Sequence, residues 1–173
     1  MKKRITISQA WARALKLPLG RYMFSKFIGR MAPYSGTIDA RIVELADGHA
    51  KLTLRDRKAV RNHLKCIHAV ALMNLGEMVT GLAVMHGIDG RGRGIVTGLR
   101  MEYLKKARGT LTATCDVELP RKTGTYDLEV SGDLKNAEGV VVARAHATWK
   151  IDLNEDAPAA SEAPAEKPET AAV

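Results

Sequence analysis

Cysteine is scarce in this chain. Cys66 and Cys115 are the only two, both lie in apolar segments, and their spacing matches neither a disulfide framework nor a metal site. Reduced, buried thiols in a cytoplasmic protein are the expectation. Aromatic residues make up 5% of the sequence and do not interleave with basic ones along any strand face, which speaks against a stacking platform for nucleic acid. Acidic residues are missing from the first 34 positions, which carry eight lysines and arginines. That resembles a transit peptide or a membrane-surface segment. Trp11, Leu15, Leu17, Met23, Phe24, Phe27 and Ile28 fit two short packed helices better. Ser8 is placed to cap the first, Leu17-Pro18 to end it, and Ala32-Pro33 to end the second. An apolar signal-peptide core is lacking too.

Charge is nearly absent from one long stretch. The 23 residues from Cys66 to Ile88 carry a single formal charge, Glu77. Apolar side chains fall on almost every face at helical spacing, so the helix is expected to be buried all round. A carboxylate there must be paired, protonated or used, because an isolated buried charge is costly. His68 lies nine residues earlier, near the helix start. Nine steps of roughly 100° leave the two side chains on opposite faces, about 13 Å apart along the axis. They cannot share a site within one chain. Across a two-fold axis they can, each helix giving His68 to one site and Glu77 to the other.

At 173 residues the chain has the length of one ordinary domain. Its net charge of +8 hides a division: residues 153–173 hold five acids and one lysine, which leaves +12 on the rest. A basic domain favours polyanionic partners, whether nucleic acid, acidic lipid or a phosphorylated cofactor. Residues 154–173 are dominated by Ala, Pro and Glu and are expected to form a disordered tail. The 66–88 stretch is long enough to span a membrane, but Asn74, Glu77, His68 and three glycines argue against stable insertion. His63 and His68 have no third ligand in reach, so no metal is expected.

After Pro33 the pattern alternates. Segments 37–45 and 49–55 read as half-buried strands joined through Asp47-Gly48. Beyond the apolar helix, Arg91-Gly92-Arg93-Gly94 reads as a flexible basic turn, since it precedes a strand and lacks the setting of a phosphate loop. Strand-like runs follow at 95–103, 109–118, 126–133 and 140–153, the last pair joined through Asn136–Gly139. The fold class is α+β: a curved antiparallel sheet wrapped around one long buried helix, with N-terminal helices.

That order, with Asn62-x5-His68-Ala69-x7-Glu77 and then Tyr103-Leu104-Lys105-Lys106-Ala107-Arg108-Gly109, resembles the hot-dog-fold acyl-CoA thioesterases of the phenylacetyl-CoA and 4-hydroxybenzoyl-CoA type. The likeness spans roughly residues 35–152, a hot-dog domain of about 35–153 behind the helical segment 1–34. The resemblance implies a hydrolase acting on acyl-CoA or acyl-carrier-protein thioesters, as a homodimer or a dimer of dimers. Coenzyme A would enter as part of the substrate, with no separate cofactor. On matching positions, Asn62 would hold the thioester carbonyl or the attacking water, and His68 would shape the helix start. The Ala69 N–H would sit in the oxyanion hole, and the partner's carboxylate at Glu77 would act as base or nucleophile. Lys105, Lys106 and Arg108 would bind the coenzyme A phosphates, and Tyr103 and Thr97 would join them as substrate-binding residues. A Ser/Thr position of some relatives falls on Val96, with Thr97 beside it on the opposite face. Where those enzymes carry His-Gly-Gly, this chain has His68-Ala69-Val70. The missing glycines keep open a non-catalytic acyl-CoA-binding or regulatory hot-dog protein.

Overall fold

The computed structural model describes residues 5–157. Three N-terminal helices, α1 (Ile7–Ala14), α2 (Gly20–Met31) and α3 (Pro33–Gly36), lead into the hairpin β1 (Arg41–Ala46) and β2 (His49–Leu54). A single 3-10 turn and an irregular loop then enter α4 (Ala69–Gly87). Four strands follow: β3 (Gly92–Tyr103), β4 (Leu111–Asp116), β5 (Gly124–Lys135) and β6 (Val141–Leu153). They form one antiparallel six-stranded sheet in the order β1-β2-β4-β5-β6-β3. This is the hot-dog arrangement, with α4 as the filling.

The depth at which α4 sits follows from small residues. A Cβ added at Gly76 would lie 2.5 Å from the Ala145 Cβ and 2.9 Å from the Met101 Cε; one at Gly132 would lie 2.9 Å from Val79 Cγ1. Glycine and alanine on the sheet's inner face thus let the helix backbone approach, and Leu75, Val79, Ala83 and Val84 are fully buried there. By length and apolarity alone α4 could cross a membrane; in this fold two-thirds of it is inside the domain.

The sheet's two edges differ. At β1, α2 covers the edge and the Ser25 hydroxyl accepts the Ile42 N–H at 2.9 Å. At β3, twelve residues bond only to β6 on one side, and Ile95 (64% exposed) and Tyr103 (52%) stand in solvent. A long, bare, partly apolar edge invites pairing with another strand.

Several local expectations shift. Thr6, not Ser8, caps α1: its hydroxyl accepts the Gln9 N–H, and the Gln9 side chain accepts the Thr6 N–H. The first strand starts at Arg41 rather than 37, because Gly36 and Thr37 close a helical turn and Asp39 adopts φ 53°. Gly92, Arg93 and Gly94 are not turn residues; they pair with Leu153, Asp152 and Ile151 as the start of β3. Residues 154–157 stay attached to the 121–123 loop, Asp156 accepting the Thr123 N–H at 2.7 Å. The rest of the expected tail lies outside the described residues.

Candidate active site around the two ends of helix α4

The loop before α4 is held from three sides. The His68 N–H donates to the Val60 carbonyl, the Ile67 N–H donates to the Ala107 carbonyl, and Asn62 closes the turn between them. Asn62 Oδ1 accepts the N–H groups of Leu64 (3.0 Å) and Cys66 (3.1 Å). Its oxygen is therefore committed to the loop, and only the Nδ2 donor is free among the described residues.

His68 is the N-cap of α4. Its Nδ1 accepts the Val70 N–H at 3.0 Å, so a neutral ring carries its proton on Nε2. That capping bond uses the Val70 donor and leaves the Ala69 N–H with no acceptor among the described residues. The Ala69 carbonyl receives the Tyr103 hydroxyl at 3.2 Å, which ties the helix start to the edge strand. One unspent donor at a helix N-terminus, where the partial positive charge is concentrated, can receive a developing oxyanion.

Lys105, Lys106 and Arg108 are exposed and flank Ala107, whose carbonyl is bonded to the residue just before His68. The basic run thus borders the helix start directly. Thr97 is the extra residue of a bulge between Val96 and Gly98, and its hydroxyl donates to the Thr148 carbonyl at 3.2 Å. It stands on the edge strand, with its side chain already engaged.

Glu77 lies two turns on, about 12 Å along the axis from Ala69. It lines a cavity of about 220 Å³ with Ile28 and Met31 of α2, Met78 and Leu82 of α4, and Trp149 of β6. Among the described residues no hydrogen bond or ion pair reaches its carboxylate. Burial raises its pKa above the ordinary glutamate range. His68 lines a different cavity, of about 210 Å³, with Tyr34, Arg61 and Asn74. The structure therefore joins Asn62, His68, Ala69, Tyr103 and the basic run in one region, and separates Glu77 from them.

Two polar groups were not singled out as site residues by the sequence. Trp149 Nε1 is buried without an acceptor at the Glu77 cavity, and Asn74 Oδ1 is buried without a donor at the His68 cavity. Each cavity thus carries one unanswered buried polar atom. Nothing in the pattern distinguishes Trp149 from any inward-facing strand residue. Cys115 is no nucleophile: burial, with Asp116 beside it, pushes its thiol up to about 12.

A domain of unknown function, DUF4442, matches residues 20–151 of the sequence. The chain belongs to the DUF4442 family. Among solved structures it is similar to the structural-genomics protein APC5556, at 31% identity over 85% of this chain and 98% of that one, with a TM-score of 0.74. It is also similar to a Pseudomonas aeruginosa protein of unknown function called a probable thioesterase, at 21% identity over 79% and 97% of the two chains, TM-score 0.66. A mutant thioesterase enzyme from Staphylococcus aureus matches at 20% identity over 69% and 98%, TM-score 0.61. The last two likenesses are of fold. Among curated proteins nothing matches. This DUF4442 chain thus shares its fold with those structures, and it presents a half-buried carboxylate and a helix-start donor on one central helix.

Proposed function

We propose that this protein hydrolyses acyl-CoA or acyl-carrier-protein thioesters at a site shared between two chains. The observation that carries the proposal is the Glu77 carboxylate, half-buried, unpaired among the described residues and facing a mostly apolar cavity. Pairing of two β3 edges would set the helix start of one protomer near Glu77 of its partner. In that site the ionised Glu77 removes a proton from water, and the oxygen attacks the thioester carbon. The Ala69 N–H and the Asn62 Nδ2 donor hold the oxyanion that forms. Collapse breaks the carbon–sulfur bond, and the proton held by Glu77 passes to the departing thiolate. A thiol has a pKa near ~8.5, so no strong acid is needed to expel it. The products are a carboxylic acid and a free thiol.

One observation favours a second reading. Val70 is 51% exposed at the helix start, and with Ala69 it places two side chains where the resembling enzymes have none. A protein that binds acyl-CoA without turnover would fit that crowding. A thiol-release assay on the purified protein against a panel of acyl-CoAs decides between the two. Turnover is expected, lost by roughly 10²-fold or more in Glu77→Gln. Because burial raises Glu77, the acid limb of kcat/KM should lie above the ordinary glutamate range. Binding without turnover, or full activity in Glu77→Gln, overturns the proposal.

A further inference from the structure

The α1–α2 hairpin buries one apolar set and displays another. Trp11, Ala14, Phe24 and Ile28 pack into the domain, with the Trp11 and Phe24 rings 5.1 Å apart. Facing outward are Leu19 (77% exposed), Met23 (56%), Phe27 (46%) and Met31 (59%), one every fourth residue, hence along one side of α2. Leu15 and Leu17 extend this surface around the connecting turn. An apolar stripe of this length on a free surface marks a contact site.

The turn's geometry shows that the display is built in. Gly20 starts α2 directly against the end of α1: a Cβ there would lie 1.7 Å from the Ala14 carbonyl oxygen. The chain reaches that crossing through Leu19 at φ 58° and ψ 16°, the left-handed region where glycine or asparagine fits best. A leucine, the residue most exposed of the large apolar ones, occupies it instead. Neither packing nor backbone preference accounts for that choice.

Charge identifies the partner. Arg13, Lys16, Arg21 and Arg30 are exposed around the stripe and unpaired among the described residues. No acidic residue precedes Asp39 in the sequence, and Asp39 is paired with Lys26 at 2.8 Å. A second copy of this surface would bring like charges together. A nucleic acid would leave the leucines without cover. Leucine, methionine and phenylalanine ringed by arginine and lysine match the boundary of an anionic bilayer, where acyl chains take the apolar groups and headgroups take the cations.

We propose that the α1–α2 hairpin docks this protein reversibly onto an anionic phospholipid surface, with Leu17 and Leu19 at the tip and Met23 and Phe27 along the contact. The stripe ends at Met31, which also walls the Glu77 cavity, so the docked face leads to that cavity. The docking does not depend on catalysis and is tested without it.

The full chain is sedimented with vesicles of phosphatidylcholine alone and of phosphatidylcholine mixed with phosphatidylglycerol. Binding is expected only to the anionic vesicles, and rising salt should release it. Leu17→Ser with Leu19→Gly should weaken it about tenfold or more, the scale of withdrawing a large apolar side chain from an apolar phase. Leu19→Gly alone should also weaken binding without lowering the melting temperature, since glycine relieves the left-handed backbone. Arg13→Gln with Arg21→Gln should cost about fivefold per charge and flatten the salt dependence. Failure of the wild type to sediment with anionic vesicles, or equal sedimentation of Leu19→Gly, overturns the proposal. So does self-association, or binding of a duplex oligonucleotide, that the leucine substitutions abolish while vesicles remain unbound.

Discussion

Two isosteric substitutions test whether the site is shared between chains. Asn62 cannot be cut to alanine for this purpose, because its oxygen closes the 62–66 loop through two hydrogen bonds. Losing both would cost roughly 1–3 kcal/mol of loop stability and confuse folding with chemistry. Asn62→Asp keeps that oxygen and removes only the Nδ2 donor. Glu77→Gln keeps the shape of the cavity wall and removes the base. Each homodimer should lose on the order of 10²-fold or more in thiol release, a base and an oxyanion donor each being worth that much. Mixing the two variants in equal amounts after subunit exchange makes about half of the dimers mixed. In a shared-site dimer one of the two mixed sites carries both lesions and the other carries neither. Roughly a quarter of wild-type activity should therefore return. Sites built within one chain would return nothing, since each would keep one lesion. No recovery after exchange, verified by mass on tagged chains, would refute the reasoning from the 12 Å spacing.

The basic run should report on the substrate's nucleotide end. Replacing Lys105, Lys106 and Arg108 by alanine should raise KM for coenzyme A esters by roughly tenfold, the sum of three exposed charge contacts, and leave short thioesters lacking the nucleotide unaffected; an equal rise for both would remove these residues from the site. Asp89 anchors α1 by accepting the Ser8 N–H at 2.6 Å. Burial works to raise its pKa, but hydrogen bonds from Ser8, Thr6 and Ile7 outweigh it and hold the carboxyl below its ordinary value of 3.8. A depressed folded pKa stabilises above the unfolded value and is lost as pH falls below it. Asp89→Asn should therefore cost about 1 kcal/mol near neutrality, and the gap to wild type should close only below pH ~4. Denaturant titrations at pH 7 and pH 3 check this, and an equal gap at both would count against the anchor.

The central helix was the most legible part of the molecule. Its length, its lack of charge and the opposition of His68 and Glu77 all follow from the helical repeat, which tertiary contacts do not alter. The two hairpin turns were equally plain, because Asp47-Gly48 and Asn136–Gly139 supply the turn residues the strands need. The cap of α1 is also written locally: Thr6-x-x-Gln9 is the reciprocal capping pattern, and Ser8 merely lies beside it. What could not be read is what depends on pairing across the fold. That Asn62 spends its oxygen on its own loop, and that Tyr103 spends its hydroxyl on Ala69, requires the register of β3 against the helix start. Trp149 reaches the Glu77 cavity only because β6 lies beneath α4, a relation with no trace in local sequence.

The departure from His-Gly-Gly acquires a definite meaning once the backbone is known. Glycine is required where φ is positive or where a Cβ would collide. Among the described residues, left-handed conformations outside glycine occur only at Leu19, Asp39 and Lys65. Ala69 begins the α-helix in ordinary geometry and His68 caps it from extended backbone, φ −66° and ψ 142°. The helix start therefore points its donors as it would with glycine, and the Ala69 N–H remains unspent because the histidine ring takes the Val70 N–H instead. What alanine and valine change is the room in front of that donor. A thioester substrate of the proposed reaction would approach past one methyl group and one exposed isopropyl group, so the constraint would fall on the shape of its acyl group. On the proposed mechanism the orientation of the oxyanion donor would be untouched, and these two side chains would set the selection among acyl groups.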